Sequence, residues 1–274
     1  MIRPLNEWDR AIILDYLSRN EDEAAFVFGN ILHCGITNRK DVLRCGDYYG
    51  YFEGDNLRGI LVFYNLGTCI PHYESVGAVP FLSKLMIMGR FNVLLGKDQI
   101  VRPLFEAIKN YKELKRFEEC SYQINRNFKP FKLEGAVFTD VSGNDDTSII
   151  SFVRKAYWRG FGAERTIEGT RILLLQKNEE EEFIILSVDN KLVAQACIQT
   201  FTDNTNQIGA VYSLEEERGK GYAKAAVSEL CERIIGRGKL PTLIVSKQNI
   251  PALNAYKALG FEHYSDYLIV KLFI

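Results

Sequence analysis

The chain has 274 residues, enough for one large or two small domains, and 47% of them are hydrophobic, which supports a packed core and excludes a disordered chain. Its formal net charge is −1, so no broad cationic face for nucleic acid is encoded; the basic cluster Arg218, Lys220 and Lys224 is local, as a small phosphorylated ligand requires. The cysteines at 34, 45, 69, 120, 197 and 231 form no C-x-x-C, and no His stands at metal-ligand spacing. No metal is expected, and reduced thiols suit a chain of this length. The start, MIRPLNEWDR, has no apolar signal core, and the longest apolar runs fall short of a membrane span. The expectation is a cytoplasmic protein with no membrane partner.

In chain order, Ile2 to Leu5 reads as a short strand. Trp8, Ile12, Ile13, Tyr16 and Leu17 recur at helical spacing, and a second helix is predicted from Asp22 to His33. Tyr48 to Phe52 and Leu57 to Tyr64 are strand-like, with hairpin chemistry at Glu53-Gly54-Asp55-Asn56. Thr68 to Pro71 is a third strand and Val79 to Met88 an apolar helix. Phe91 to Leu95, Ile100 to Tyr111 and Cys120 to Ile124 follow as strand, helix and strand. The second half repeats this order. Ala136 to Val141 is a strand, Ile149 to Tyr157 and Glu168 to Leu175 are helices, and Phe183 to Val188 with Lys191 to Thr200 form a hairpin around Asp189-Asn190. Gln207 to Ser213 is the next strand, then helix, strand, helix and a last strand from His263 to Phe273. The fold class is α/β: two tandem units, each a mixed sheet flanked by helices, over 1–130 and 131–274, linked through Asn127-Phe128-Lys129-Pro130.

The stretch Gly209 to Glu229 carries the chemistry. Gly209 to Tyr212 suits a thin strand, and Glu215-Glu216-Glu217 ends it. Arg218-Gly219-Lys220-Gly221 then opens a helix with Ala223, Ala226, Val227, Leu230 and Ile234 on its apolar face and Lys224, Ser228, Glu232 and Arg233 on its wet side. The first amides of a helix lack internal acceptors and sit at the positive end of its dipole. Glycines let that backbone approach an anion, and Arg218 and Lys220 add charge. A solvated basic turn at an ordinary helix start gives the same pattern.

The run Arg218-Gly219-Lys220-Gly221-Tyr222-Ala223 resembles the R/Q-x-x-G-x-G/A signature of GNAT-type N-acetyltransferases. Asn249-x-x-Ala252-x-x-x-Tyr256-x-x-x-Gly260-Phe261 resembles the second half of that fold. The two cover roughly Glu181 to the C-terminus. The tandem plan resembles mycothiol synthases and the glycine N-acyltransferase group, and Ile208 to Gly221 is closest to the glycine-acyltransferase-like domain. The first unit has Tyr73-Glu74-Ser75-Val76-Gly77-Ala78 where the signature falls, with an acid and no Arg or Lys. It is expected to be a degenerate copy that shapes the site or an interface.

The resemblance implies transfer of an acetyl group from acetyl-CoA to a primary amine of a small molecule, in a ternary complex and without a metal. The cofactor-binding residues would be Val211, Tyr212, Ser213, Arg218, Gly219, Lys220, Gly221, Tyr222, Ala223 and Asn249. An amide at Val211, Tyr212 or Ser213, freed by a splayed or bulged strand, would stabilise the thioester oxygen. Tyr256 would protonate the leaving thiolate, although Ala252, Tyr256 and Leu259 share a stripe that equally describes a core tyrosine. Histone-directed members carry a Glu where this chain has Gln207. Glu164 and Glu168 are the other acids near the acceptor side, and no base is assigned. Tyr157-Trp158-Arg159-Gly160-Phe161-Gly162 reads as a mobile acceptor loop or as a helix end, with Trp158, Arg159 and Glu164 as acceptor candidates. Cys197 and Cys231 read as small core residues, and His33, His72 and His263 form no triad with a serine. A non-catalytic acyl-CoA sensor, or an enzyme using a longer acyl chain, fits the same motifs.

Overall fold

The computed structural model describes residues 1–141, 143–175 and 182–273. Glu181, from which the resemblance is counted, lies outside the described residues. In chain order the elements are β1 (Ile2–Pro4), α1 (Arg10–Arg19), α2 (Glu21–Cys34), β2 (Gly46–Glu53), β3 (Asn56–Tyr64), β4 (Thr68–Tyr73), α3 (Val79–Met88), β5 (Val93–Lys97), α4 (Asp98–Ile108) and β6 (Leu114–Ile124). Then come β7 (Val137–Asp140), α5 (Thr147–Phe161), α6 (Ile167–Leu175), β8 (Phe183–Val188), β9 (Lys191–Phe201), β10 (Thr205–Ser213), α7 (Tyr222–Gly236), β11 (Leu240–Ser246), α8 (Ile250–Ala258) and β12 (Glu262–Leu272). The order of element types is the same in both series.

Packing divides the chain into two units. Unit 1 is Met1–Tyr122 with Ser246–Gln248 and Tyr264–Ile274; unit 2 is Gln123–Val245 with Asn249–His263. The final strand, which sequence order gives to the second unit, is therefore counted with the first: β12 pairs antiparallel with β5, from Tyr267 opposite Lys97 to Lys271 opposite Val93. The alternating run that makes β12 a strand fixes its faces and not its partner.

In unit 1, β1 to β4 are successively antiparallel, and β4 then runs parallel to β5. β3 reads as a near-continuous apolar run because both its faces are covered. Ile60 and Val62 meet Ile13, Leu17, Val27 and Ile31 of α1 and α2, whereas Leu61 meets Leu82, Met86, Val101 and Leu104 of α3 and α4.

In unit 2, β7 to β10 are successively antiparallel and β10 runs parallel to β11. One face packs on α7 and α8 through Ala226, Val227, Leu230, Ile234 and Tyr256; the other packs on α5 and α6 through Ile150, Val153, Ala156 and Leu174. Cys197 and Cys231 are buried within these cores, as small apolar side chains. Ser228, placed on the wet side of α7 by its polarity, is buried. Its Oγ accepts the amide of Phe131 at 2.8 Å, so the hydroxyl holds the segment ahead of β7.

Candidate active site

β10 pairs with β11 over Thr205–Ile208 opposite Leu240–Leu243, and both strands then continue. On its other edge β10 carries a bulge: Gly209 lies opposite Cys197 and Tyr212 opposite Gln195, so three steps on β10 face two on β9. The extra residue changes the side-chain phase. Ile208 and Val211 both face the α7/α8 core, while Ala210, Tyr212 and Leu214 face α5. Ala210 takes up the bulge at φ 51°, a left-handed conformation uncommon for a residue with a Cβ. Its carbonyl accepts from Gln195 Nε2 at 3.1 Å, and Gln195 is fully buried. Gln195 therefore pins the bulge from β9. The signal in the sequence is one amide inside the apolar run Leu192–Ile198.

After Ser213 a 3-10 turn, Glu215–Glu217, leads to Arg218 in extended backbone and to Gly219 and Gly221, both at φ 84°. Gly221 is the N-cap of α7, and no side chain caps that helix. The first helical bond is Ala225 N–H to Gly221 C=O at 2.9 Å, so the amides of Tyr222, Ala223 and Lys224 precede the internal ladder. The two cations differ. Lys220 Nζ donates to Glu217 at 2.6 Å, and Lys191 donates to the same carboxylate; Lys191 first and Lys220 second hold Glu217 down to about 2. Arg218 is 60% exposed and only 3.9 Å from Glu215, so its guanidinium is the more available. Lys224 lies 3.6 Å from the centroid of the Phe131 ring, and a Cβ on Gly221 would come within 3.2 Å of that ring. Phe131 thus buttresses the turn, a role that an aromatic 90 residues earlier in the chain does not announce.

α8 begins at Asn249, whose Oδ1 accepts the Ala252 amide at 3.3 Å as an N-cap. Pro251 suits the first turn. Tyr256 is 7% exposed, packs edge-on against Phe261 at 5.9 Å, and shares its core with Ile208, Leu243 and Val245. Burial raises the pKa of its phenol, so it holds its proton throughout the neutral range, as a donor must. Val211 packs half-buried against this core, whereas the ring of Tyr212 turns to the opposite face, onto Phe152. The fold therefore gathers Val211 and Tyr256 on one side of β10 and separates Tyr212 from them.

Of the two readings of Tyr157 to Gly162, the structure has the helix end and not the loop. Trp158 to Phe161 complete α5, Gly162 ends it at φ 64°, and Gly160 lies directly over the Tyr212 ring. Gly160 is there for close packing and does not break the helix. Trp158 is 52% exposed, with the Arg159 guanidinium 4.2 Å from its ring centroid. Trp158 and Glu164 line one cavity of about 250 Å³ with Ser151, Arg154, Lys155 and Arg165. Glu168 is tied to Arg171 at 2.6 Å, and Gln207 is buried in β10. His72 is buried in unit 1, where its Nδ1 lies 2.6 Å from Tyr16 Oη and its Nε2 3.2 Å from Glu23. No group of metal-ligating side chains occurs among the described residues, and no helix there is long and apolar enough to cross a membrane.

Residues 150–261 match the family model described as the acetyltransferase (GNAT) family. That segment is similar to a GNAT-family domain. It includes the β10 bulge, the glycine turn, Asn249 and Tyr256. No curated protein matches the chain. Among solved structures, a Drosophila protein aligns at TM-score 0.75 and 11% identity, covering 99% of this chain and 98% of that one. A GCN5-related N-acetyltransferase from Sphaerobacter thermophilus aligns at TM-score 0.64 and 13% identity, over 99% and 95%. A tandem GNAT protein of the clavulanic acid biosynthesis pathway aligns at TM-score 0.60 and 12% identity, over 98% and 97%. At such identities the likeness speaks for the fold.

Proposed function

We propose that unit 2 is an N-acetyltransferase that moves an acetyl group from acetyl-CoA to the primary amine of a small molecule, by direct attack in a ternary complex. The observation that carries this reading is the start of α7: an uncapped helix N-terminus behind two left-handed glycines, in the same unit as a bulged strand and a buried, protonated tyrosine. The amides of residues 221–224 and the Arg218 guanidinium would take the donor's diphosphate. Lys220 serves there by exchanging Glu217 for a phosphate oxygen.

In the reaction the amine nitrogen attacks the thioester carbonyl carbon. The C–N bond forms, the carbonyl oxygen gains charge, and an N–H at Val211, Tyr212 or Ser213 stabilises it. Collapse breaks the C–S bond, Tyr256 gives its proton to the thiolate, and the nitrogen releases one proton to water. Unit 1 is proposed to be a copy of the same fold that has lost the donor turn. A sensor that binds acyl-CoA without turnover is the second reading, favoured by the engagement of Lys220 with Glu217 and by the amide at Gln207.

Thiol release from acetyl-CoA and from longer acyl-CoAs, measured against an amine panel, tests the proposal. Saturable release that requires an amine supports the enzyme. Thermal stabilisation by acetyl-CoA with no release from any donor or amine supports the sensor.

A further inference from the structure

Unit 2 contains eight arginines, and five of them face carboxylates: Arg126, Arg171, Arg218, Arg233 and Arg237. The other three, Arg154, Arg159 and Arg165, have no carboxylate partner among the described residues. All three belong to one place. Arg154 and Arg165 line the cavity of about 250 Å³ beside α5, and Arg159 stacks on Trp158, which lines it too.

The two lining guanidiniums are held and not satisfied. Arg154 spends only Nε, on the carbonyl of Arg165 at 3.0 Å. Arg165 stacks 4.7 Å from the centroid of Tyr157, and its Nε is buried with no hydrogen-bond partner. Glu164 is the single acid on the lining, and it has no cationic partner among the described residues despite the arginines around it. The lining thus leaves both signs of charge available, beside an indole. The α5 helix fixes the spacing: Ser151, Arg154, Lys155 and Trp158 fall at i, i+3, i+4 and i+7, on one face. Lys155 Nζ lies 3.9 Å from Glu216, in the turn that precedes the donor glycines.

We infer that this cavity binds the acceptor, and that the acceptor is an amino acid or a similarly small amino-carboxylate. Its carboxylate takes the fork of Arg165 with Arg154, its ammonium faces Glu164, and its side chain lies on Trp158. A planar guanidinium with a free edge matches a carboxylate bidentately, and a pocket below roughly 300 Å³ selects a small metabolite over a drug-sized ligand. The inference rests on the acetyltransferase reading for its chemistry. Its binding arm does not.

The experiment uses the full chain and pairs each common L-amino acid with its decarboxylated amine, with acetyl-CoA as donor and thiol release as readout. At least one amino acid is expected to show kcat/KM about 10- to 100-fold above its amine, the range of a charge-assisted hydrogen-bonded pair. Arg165→Gln or Arg154→Gln should bring that ratio close to one by lowering kcat/KM on the amino acid more than on its amine; Arg126→Gln should not alter it. Arg165→Lys, which keeps the charge and loses the fork, should retain part of the preference and replaces Arg165→Gln should that variant melt early. Equal rates on acid and amine, or a ratio untouched by both glutamine variants, overturn the inference. Ligand-observed NMR with the same amino acids and coenzyme A separates the two readings. With no turnover of any amine, the enzyme reading fails, and amino-acid binding that is lost in Arg165→Gln and Arg154→Gln keeps the site. Binding of none of them, or perturbation of the cavity by coenzyme A alone, overturns it.

Discussion

The two units place the same split between two parallel strands and treat it in opposite ways. In unit 1, β4 and β5 pair only at Thr68 with Val93 and Cys69 with Leu94; in unit 2, β10 and β11 pair from Thr205 to Ile208. Beyond the pairing, unit 1 is stitched shut. His72 of β4 and Lys97 of β5 both bond Glu23 of α2, Tyr16 backs His72 from α1, and Tyr73 Oη donates to Ile100 C=O at 3.2 Å. Its following turn is capped by Ser75, whose Oγ accepts the Gly77 amide, and is surrounded by the carboxylates Glu53 and Glu74. In unit 2 the carbonyl freed by the bulge ties back to β9 through Gln195, and the helix start is left uncapped behind glycines. A helix start ringed by acids repels a diphosphate, whereas bare amides beside Arg218 attract one. On the proposed reading, unit 2 is the binding cleft and unit 1 a closed support, and a handful of side chains separates the two.

Two buried phenols give the sharpest contrast. Tyr256→Phe should cut turnover roughly 10²-fold with acetyl-CoA affinity intact, since only the proton donor is removed. Tyr16→Phe should leave turnover near the parent value and lower stability instead, because its Oη completes the His72 chain. Steady-state kinetics and urea melts of both variants check this, and a Tyr256→Phe enzyme of full activity would remove Tyr256 from the reaction.

Glu23→Gln comes next. Hydrogen bonding from His72 first, then Lys97, holds the Glu23 carboxyl down to about 2, against about 4.3 for an unfolded glutamate. Between those values the unfolded chain binds the extra proton, so stability rises with pH across the window. The contribution is complete above about pH 4.5 and drains as pH falls toward 2. The variant should lose on the order of 2 kcal/mol at pH 7 and show a flatter acid limb. A pH series of urea midpoints measures it; parallel acid limbs in parent and variant would show that the network does not work this way. Within unit 2, Gly221→Ala should weaken acetyl-CoA about tenfold, because a Cβ at φ 84° is strained and presses on Phe131; Gly77→Ala in unit 1 should leave that affinity unchanged. Calorimetric titration of both distinguishes the turns.

The order of elements was legible because each rests on local periodicity, and the glycine turn before α7 because glycine, cation and helix start are contiguous. What escaped is what depends on partners distant in sequence. β12 has an unambiguous strand pattern, yet nothing in Glu262–Leu272 says that it pairs with β5. Trp158 to Phe161 read equally as a loop or a helix end because two glycines flank aromatics, and only the Tyr212 ring beneath Gly160 shows why the helix tolerates one. Ser228 read as wet because its partner, the Phe131 amide, lies 97 residues away. The arginines of the cavity were invisible as a set, since being unpaired is a property of space and not of spacing.

The smallest predicted effect concerns the bulge itself. Ala210 sits at φ 51° in a strand, where a Cβ costs roughly 1–2 kcal/mol, while glycine adds roughly 0.5–1 kcal/mol of chain entropy. Ala210→Gly should therefore be neutral or stabilising by up to about 1.5 kcal/mol, and Ala210→Val destabilising, because a branched Cβ tolerates that conformation least. Unit 1 offers the control: Ile70, in the fully buried β4, should lose stability on replacement by Gly, as an ordinary strand position does. Should Ala210→Gly hold its melting temperature yet lower kcat with acetyl-CoA affinity unchanged, the strain at Ala210 would be aiming the Val211 and Tyr212 amides rather than merely accommodating an extra residue. Unchanged kcat would leave the bulge as a packing device, with the oxyanion donor to be sought at Ser213.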